Sequence, residues 1–181
     1  MVASLLSLLV LILATDSFAV PFIFLTSIGL AVAYNMGSNP FLGDVSYITQ
    51  ALVAVLQLGV TTDYSIFLLH SYEECKPRYE NRDDAMAEAI SETFISVMGS
   101  SLTTIAGFAA LIFMTFALGE NLGIVMIKGV IIGVLCCVTV LPAMVLLFEK
   151  PIMKLKHRSF FPDMGKLSDF IRKFHWVWIL L

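Results

Sequence analysis

The chain has 181 residues, of which 59% are hydrophobic and only 14% charged, with a mean hydropathy of +0.90. Soluble domains lie nearer half apolar and a quarter charged, so this composition excludes an ordinary soluble domain and points to an all-α, polytopic membrane protein. The net charge of -3 comes with no basic run interleaved with aromatics, which gives nucleic-acid binding no support, and Cys75, Cys136 and Cys137 have neither disulfide nor metal-site spacing.

The predicted elements are apolar runs divided by short polar breaks. Residues 1–14 are apolar apart from Ser4 and Ser7; at 1.5 Å per residue they span about 21 Å, short of the roughly 30 Å hydrocarbon core. The positive stretch that opens a signal peptide is missing, so this run reads as a membrane helix cut at its start. Thr15, Asp16 and Ser17 can cap a second span over 18–34, with Pro21 tolerated in its first turn. The turn formers from Asn35 to Pro40 predict its end. A loop without Lys or Arg then leads to a third span, 47–71.

Residues 72–84 are the most highly charged part of the chain. Asn81 can cap an amphipathic helix over 81–92, with Asp83 and Asp84 suited to its dipole. Met86, Ile90, Phe94 and Val97 recur at helical spacing opposite Asp84, Glu88 and Glu92, which read as a solvated face. The fourth span, 93–118, is rich in small and hydroxyl residues, among them Gly99, Ser100, Thr103, Thr104 and Gly107, which let helix backbones approach in lipid. Gly119-Glu120-Asn121 predicts a turn before a fifth span, 122–148, which carries Gly129, Gly133 and a bending Pro142. Residues 1–149 thus form one bundle. The basic, partly aromatic segment 150–173 suits a headgroup surface, and 174–181, with Trp176 and Trp178, reads as the start of a further span.

Ten of the eleven basic residues fall in the 72–92 loop and the tail, so the positive-inside rule puts both in the cytoplasm. The eleventh, Lys128, lies about two turns into the fifth span and either snorkels outward, the favoured reading, or faces a polar cavity.

Asp63 stands deep inside the third run. A carboxylate at that depth costs roughly 2.5–3.5 kcal/mol unless paired, hydrated or protonated. Burial favours the neutral form of an acid, so Asp63 suits an acid that binds and releases a proton; the plainer reading is a packing residue hydrogen-bonded to Ser100 or Thr104. Gly59, one turn earlier, would admit another backbone beside it. Thr61 and Thr62 widen the polar sector, Tyr64 can bond across an interface or only pack, and His70 lies near the cytoplasmic end, where a proton could enter or where an interfacial histidine simply sits.

The stretch Gly59-Val60-Thr61-Thr62-Asp63-Tyr64-Ser65-Ile66-Phe67-Leu68, followed by Glu73-Glu74, resembles the Gly-x-x-x-Asp-Tyr signature of the MMPL transporters of the resistance–nodulation–division (RND) superfamily. The run from Gly99 to Phe108 is similar to that family's next span, and Leu141-Pro142-Ala143 to the end of the one after it. The resemblance covers about residues 20–150. It implies an RND-type helical bundle, here about five spans plus the start of a sixth, from the N-terminal half of a transporter in the bacterial cell membrane. It also implies a proton relay through Asp63 and Tyr64, supported by Gly59, Thr62, Ser100, Thr104 and His70, and a second half with its own Asp-Tyr pair. Ser71 departs from the pattern, since the family often has a basic residue there. Tyr64 favours MMPL over the protein-export branch of the superfamily, which usually lacks that Tyr.

The function expected is export of lipids or other hydrophobic compounds driven by the proton-motive force. A non-transporting, sterol-sensing-like membrane sensor or lipid-binding module, with Asp63 structural, is the competing reading. Neither calls for a metal or cofactor, and no nucleophile–base pair suggests an enzyme.

Overall fold

A computed structural model describes residues 7–8, 11–12, 19–43 and 45–148. The expected tail and further span, 150–181, lie outside the described residues, as does most of the 1–14 run, of which Ser7, Leu8, Leu11 and Ile12 are helical. Four helices follow: α1 (Ala19–Gly37), α2 (Tyr47–Cys75), α3 (Arg82–Ile112) and α4 (Ala117–Leu147). All four are long and apolar enough to cross a membrane. Short 3-10 turns, Asn39–Leu42 and Lys76–Arg78, follow α1 and α2.

Local chemistry sets the boundaries. Ser46 caps α2, its Oγ accepting from the Ile48 N–H at 3.3 Å. Asn81 caps α3 through the Asp83 N–H at 3.3 Å, with Asp83 and Asp84 in the first turn, where carboxylates suit the dipole. Gly43 turns the chain from α1 into α2 at φ 89°, a conformation side-chain-bearing residues rarely adopt.

Three boundaries differ from the sequence reading. Asn35, Met36 and Gly37 complete α1 rather than break it, because Asn35 has partners inside the bundle. The amphipathic segment and the fourth span are one continuous helix, α3, since neither Gly nor Pro interrupts residues 82–98. The last turn falls at 113–116, ahead of Gly119. Gly119 and Glu120 bond back to the Phe116 carbonyl at 2.9 and 3.3 Å, and Glu120 places its carboxylate at the start of α4.

Successive helices run antiparallel, and α4 packs against each of the other three. Its glycines make this possible. A Cβ on Gly123 would stand 2.6 Å from the Phe108 carbonyl oxygen of α3, one on Gly129 2.5 Å from Asn35 Nδ2 of α1, and one on Gly133 2.7 Å from Thr61 Oγ1 of α2. Near the 76–82 hairpin the core joins Phe24, Leu68, Tyr72, Met86, Val134 and Leu141; nearer the 113–116 turn it joins Val53, Val125, Met126 and Val130.

Beside this apolar core the helices also turn their polar side chains inward and leave apolar ones outside, as lipid favours. Along α2, Thr49, Gln57, Thr61, Ser65 and Ser71 are buried, while Leu52, Val55, Leu56, Ile66 and Phe67 are exposed. Most of α3 is uncovered, with Ile95 80% and Leu102 68% exposed.

Candidate functional site in the α2–α3 face

Asp63 breaks this inside-out rule. It lies on the exposed face of α2, among Leu56, Ile66 and Phe67. Gly59, on the same stripe, has no atom within 4 Å of where its Cβ would be, so the close approach expected there is not made among the described residues. His70, seven residues on, also faces outward, with Nε2 3.6 Å from Glu74 Oε1.

Tyr64 follows Asp63 by 100° around the helix and therefore points elsewhere, into the seam with α3, where it is 4% exposed. There it meets Ser100 and Thr104. The two α3 hydroxyls donate to their own helix, Ser100 to the Val97 carbonyl at 3.1 Å and Thr104 to the Ser100 carbonyl at 2.9 Å. The Tyr64 hydroxyl itself is buried beside these two hydroxyls, but no hydrogen bond of close geometry reaches it among the described residues. Ser100 and Thr104, expected as partners of Asp63, are thus brought to Tyr64 instead. Thr62 bonds back to the Leu58 carbonyl at 2.6 Å and adds nothing to the carboxylate.

The polar interior extends beyond the predicted set. Asn35 Nδ2 donates to Gln57 Oε1 at 2.8 Å, and Gln57 Nε2 donates to the Gly129 carbonyl at 3.1 Å, tying α1, α2 and α4 together. Lys128 Nζ donates to the Asn35 carbonyl at 3.0 Å and to Asn39 Oδ1 at 2.7 Å. Lys128 therefore ends at the C-terminus of α1, where a cation suits exposed carbonyls and the dipole. Asn35 was hidden in a cluster of turn formers; its spacing from Gln57 across two helices leaves no periodic signal.

Glu92, on the solvated face of the predicted amphipathic helix, is exposed and also paired: Ser71 Oγ and Cys75 Sγ donate to its Oε2 at 3.1 and 3.5 Å, and Arg78 Nη1 lies 3.7 Å from its Oε1. Among the described residues no three His, Cys, Asp or Glu side chains gather as metal ligands do.

The model of the MMPL family matches residues 1–168. A membrane protein of Methanocaldococcus jannaschii is 33% identical over 129 residues, which are 71% of this chain and 33% of that protein. Membrane protein ActII-3 of Streptomyces coelicolor is 32% identical over 123 residues, 68% of this chain and 17% of that one. The siderophore exporter MmpL5 of Mycobacterium tuberculosis is 29% identical over 140 residues, 75% of this chain and 14% of its own. The chain thus spans a third or less of the length of these relatives. No solved structure gives a significant match.

Proposed function

Because the chain belongs to the MMPL family, we propose that it is part of one half of a multi-pass exporter of lipids or other hydrophobic compounds, driven by protons carried on Asp63. The observation that carries this reading is the carboxylate standing on an otherwise apolar helix face. Lipid does not tolerate such a group, so water or another protein surface covers it. The second transporter half, with an acid and tyrosine of its own, is the cover we assign. Tyr64, buried between α2 and α3 beside Ser100 and Thr104, is the natural second member of the relay, because its hydroxyl can both accept and donate a proton. Ser100 and Thr104 retain acceptor lone pairs beside it. That one relative is named a siderophore exporter supports export as the direction.

The energetics are sufficient. Each proton moved down a 100 mV potential releases roughly 2.3 kcal/mol, enough to shift a two-state equilibrium nearly fifty-fold. In this arrangement the 72–92 hairpin and the 150–173 segment face the cytoplasm, and His70 stands at the cytoplasmic end of the Asp63 face.

The test is Asp63→Asn in the full-length protein, with export measured at matched membrane abundance. The expected result is a loss of at least tenfold. Undiminished export would sink the proton-carrying role and return Asp63 to a packing residue.

A further inference from the structure

Three donors on consecutive turns of α2 and its 3-10 extension converge on one carboxylate of α3. Ser71, Cys75 and Arg78 are spaced four and three residues apart, which places them on one stripe. Glu92 receives the Ser71 hydroxyl at 3.1 Å and the Cys75 thiol at 3.5 Å on one oxygen, and faces the Arg78 guanidinium at 3.7 Å with the other. Ser71 also lies 3.4 Å from the Ala89 carbonyl, one turn before Glu92. Cys75 is fully buried and Ser71 nearly so, whereas the Glu92 side chain is 42% and the Arg78 side chain 62% exposed. The contact is therefore anchored on its inner side and open to water on its outer side.

We infer that Glu92 is a positioning residue: a polar clasp that sets how the hairpin end of α2 seats on α3, and through α2 the placement of Asp63. The connection is the stiffness of α2 itself. From Asp63 to Cys75 the helix has no Gly or Pro to absorb a change of direction. A shift at the clasp is therefore passed along two to three turns to the carboxylate. Apolar packing alone already joins the helices here, through Tyr72, Cys75, Ala85, Met86 and Ala89. What the clasp adds is direction, because a carboxylate taking two hydrogen bonds and facing a guanidinium fixes register and rotation where small and apolar surfaces leave both loose. The ion pair on the watery side is weak on its own, so the clasp can release without disturbing the core. This role deepens the transport reading, since it concerns the helix that carries the proposed proton site, but its test needs no transport.

The experiment uses the full-length protein in native membranes and two reactions read residue by residue from digested peptides. N-ethylmaleimide reports how open the clasp is at Cys75, and the hydrophobic reagent dicyclohexylcarbodiimide reports the surroundings of Asp63. Glu92→Ala is expected to speed Cys75 alkylation about tenfold and to change the Asp63 reaction rate at least threefold. Glu92→Asp is expected to restore part of both. The exchange Glu92→Arg with Arg78→Glu is expected to recover more of the Cys75 protection than Glu92→Arg alone. Unchanged Cys75 alkylation in Glu92→Ala would overturn the clasp itself. Faster Cys75 alkylation with an unchanged Asp63 rate, in protein of wild-type abundance, would overturn the positioning role and leave a local tether. Neither result depends on Asp63→Asn, whose export assay judges the proton reading separately.

Discussion

Two adjacent side chains, Asp63 and Tyr64, meet opposite surroundings because a helix turns 100° between them. The carboxylate was legible in the sequence as a charge inside an apolar run. Its direction was not, since a helical wheel groups residues without saying which group another helix covers. Tyr64 yields the sharper prediction. Its hydroxyl is buried with no close hydrogen bond among the described residues, and such a group costs about 1–3 kcal/mol. Tyr64→Phe is therefore expected to leave the melting temperature of the purified protein unchanged or to raise it by a few degrees. If the hydroxyl carries protons, the same substitution lowers export several-fold. Loss of stability together with export would mean that the hydroxyl is held by a bond and serves packing.

The glycines sort the helices into a face already used and a face still open. The sequence marked Gly99, Gly107, Gly129 and Gly133 alike as small residues suited to close packing. Only those on α4, with Gly123, meet neighbours; a Cβ on Gly59, Gly99 or Gly107 meets nothing within 4 Å. Composition could not separate the two groups, because the collision depends on which helix lies opposite. Gly123→Ala and Gly107→Ala should therefore act with opposite sign. The first drives a methyl into the Phe108 carbonyl at 2.6 Å, a backbone atom that cannot turn aside, at about 1–3 kcal/mol. The second meets no atom of the bundle and gains up to about 1 kcal/mol of helix propensity. Thermal unfolding of the two variants in detergent checks the difference. A lower melting temperature for Gly107→Ala would place a second bundle against α3 at that glycine, so closely that even a methyl is excluded. The continuity of α3 follows the same logic: the change from charged to apolar at Glu92 and Thr93 looked like a boundary, but composition can change along a helix without ending it.

At the scale of the whole molecule, what was legible was the hydropathy and the charge asymmetry. They gave the membrane class and the approximate course of the later spans, though not the position of the last turn, which falls at 113–116 rather than at Gly119. What was not legible was the lateral arrangement, with α4 at the centre, because that rests on Asn35, Gln57 and the α4 glycines meeting across helices. Orientation still rests on charge. Lys76, Arg78 and Arg82 cluster at one end of the described bundle, while the turns at 43–46 and 113–116, at the other end, have no basic residue. Short loops rich in Lys and Arg stay in the cytoplasm. Tyr79→Cys and Thr115→Cys place reporters at exposed positions of the two ends. With a membrane-impermeant maleimide on intact cells, Thr115→Cys is expected to be labelled and Tyr79→Cys only after permeabilisation. The opposite pattern would put the Glu92 clasp and the His70 end outside. Protons would then reach Asp63 from His70 on the side where they are abundant, and the proposed cycle would have to run with loading and release exchanged.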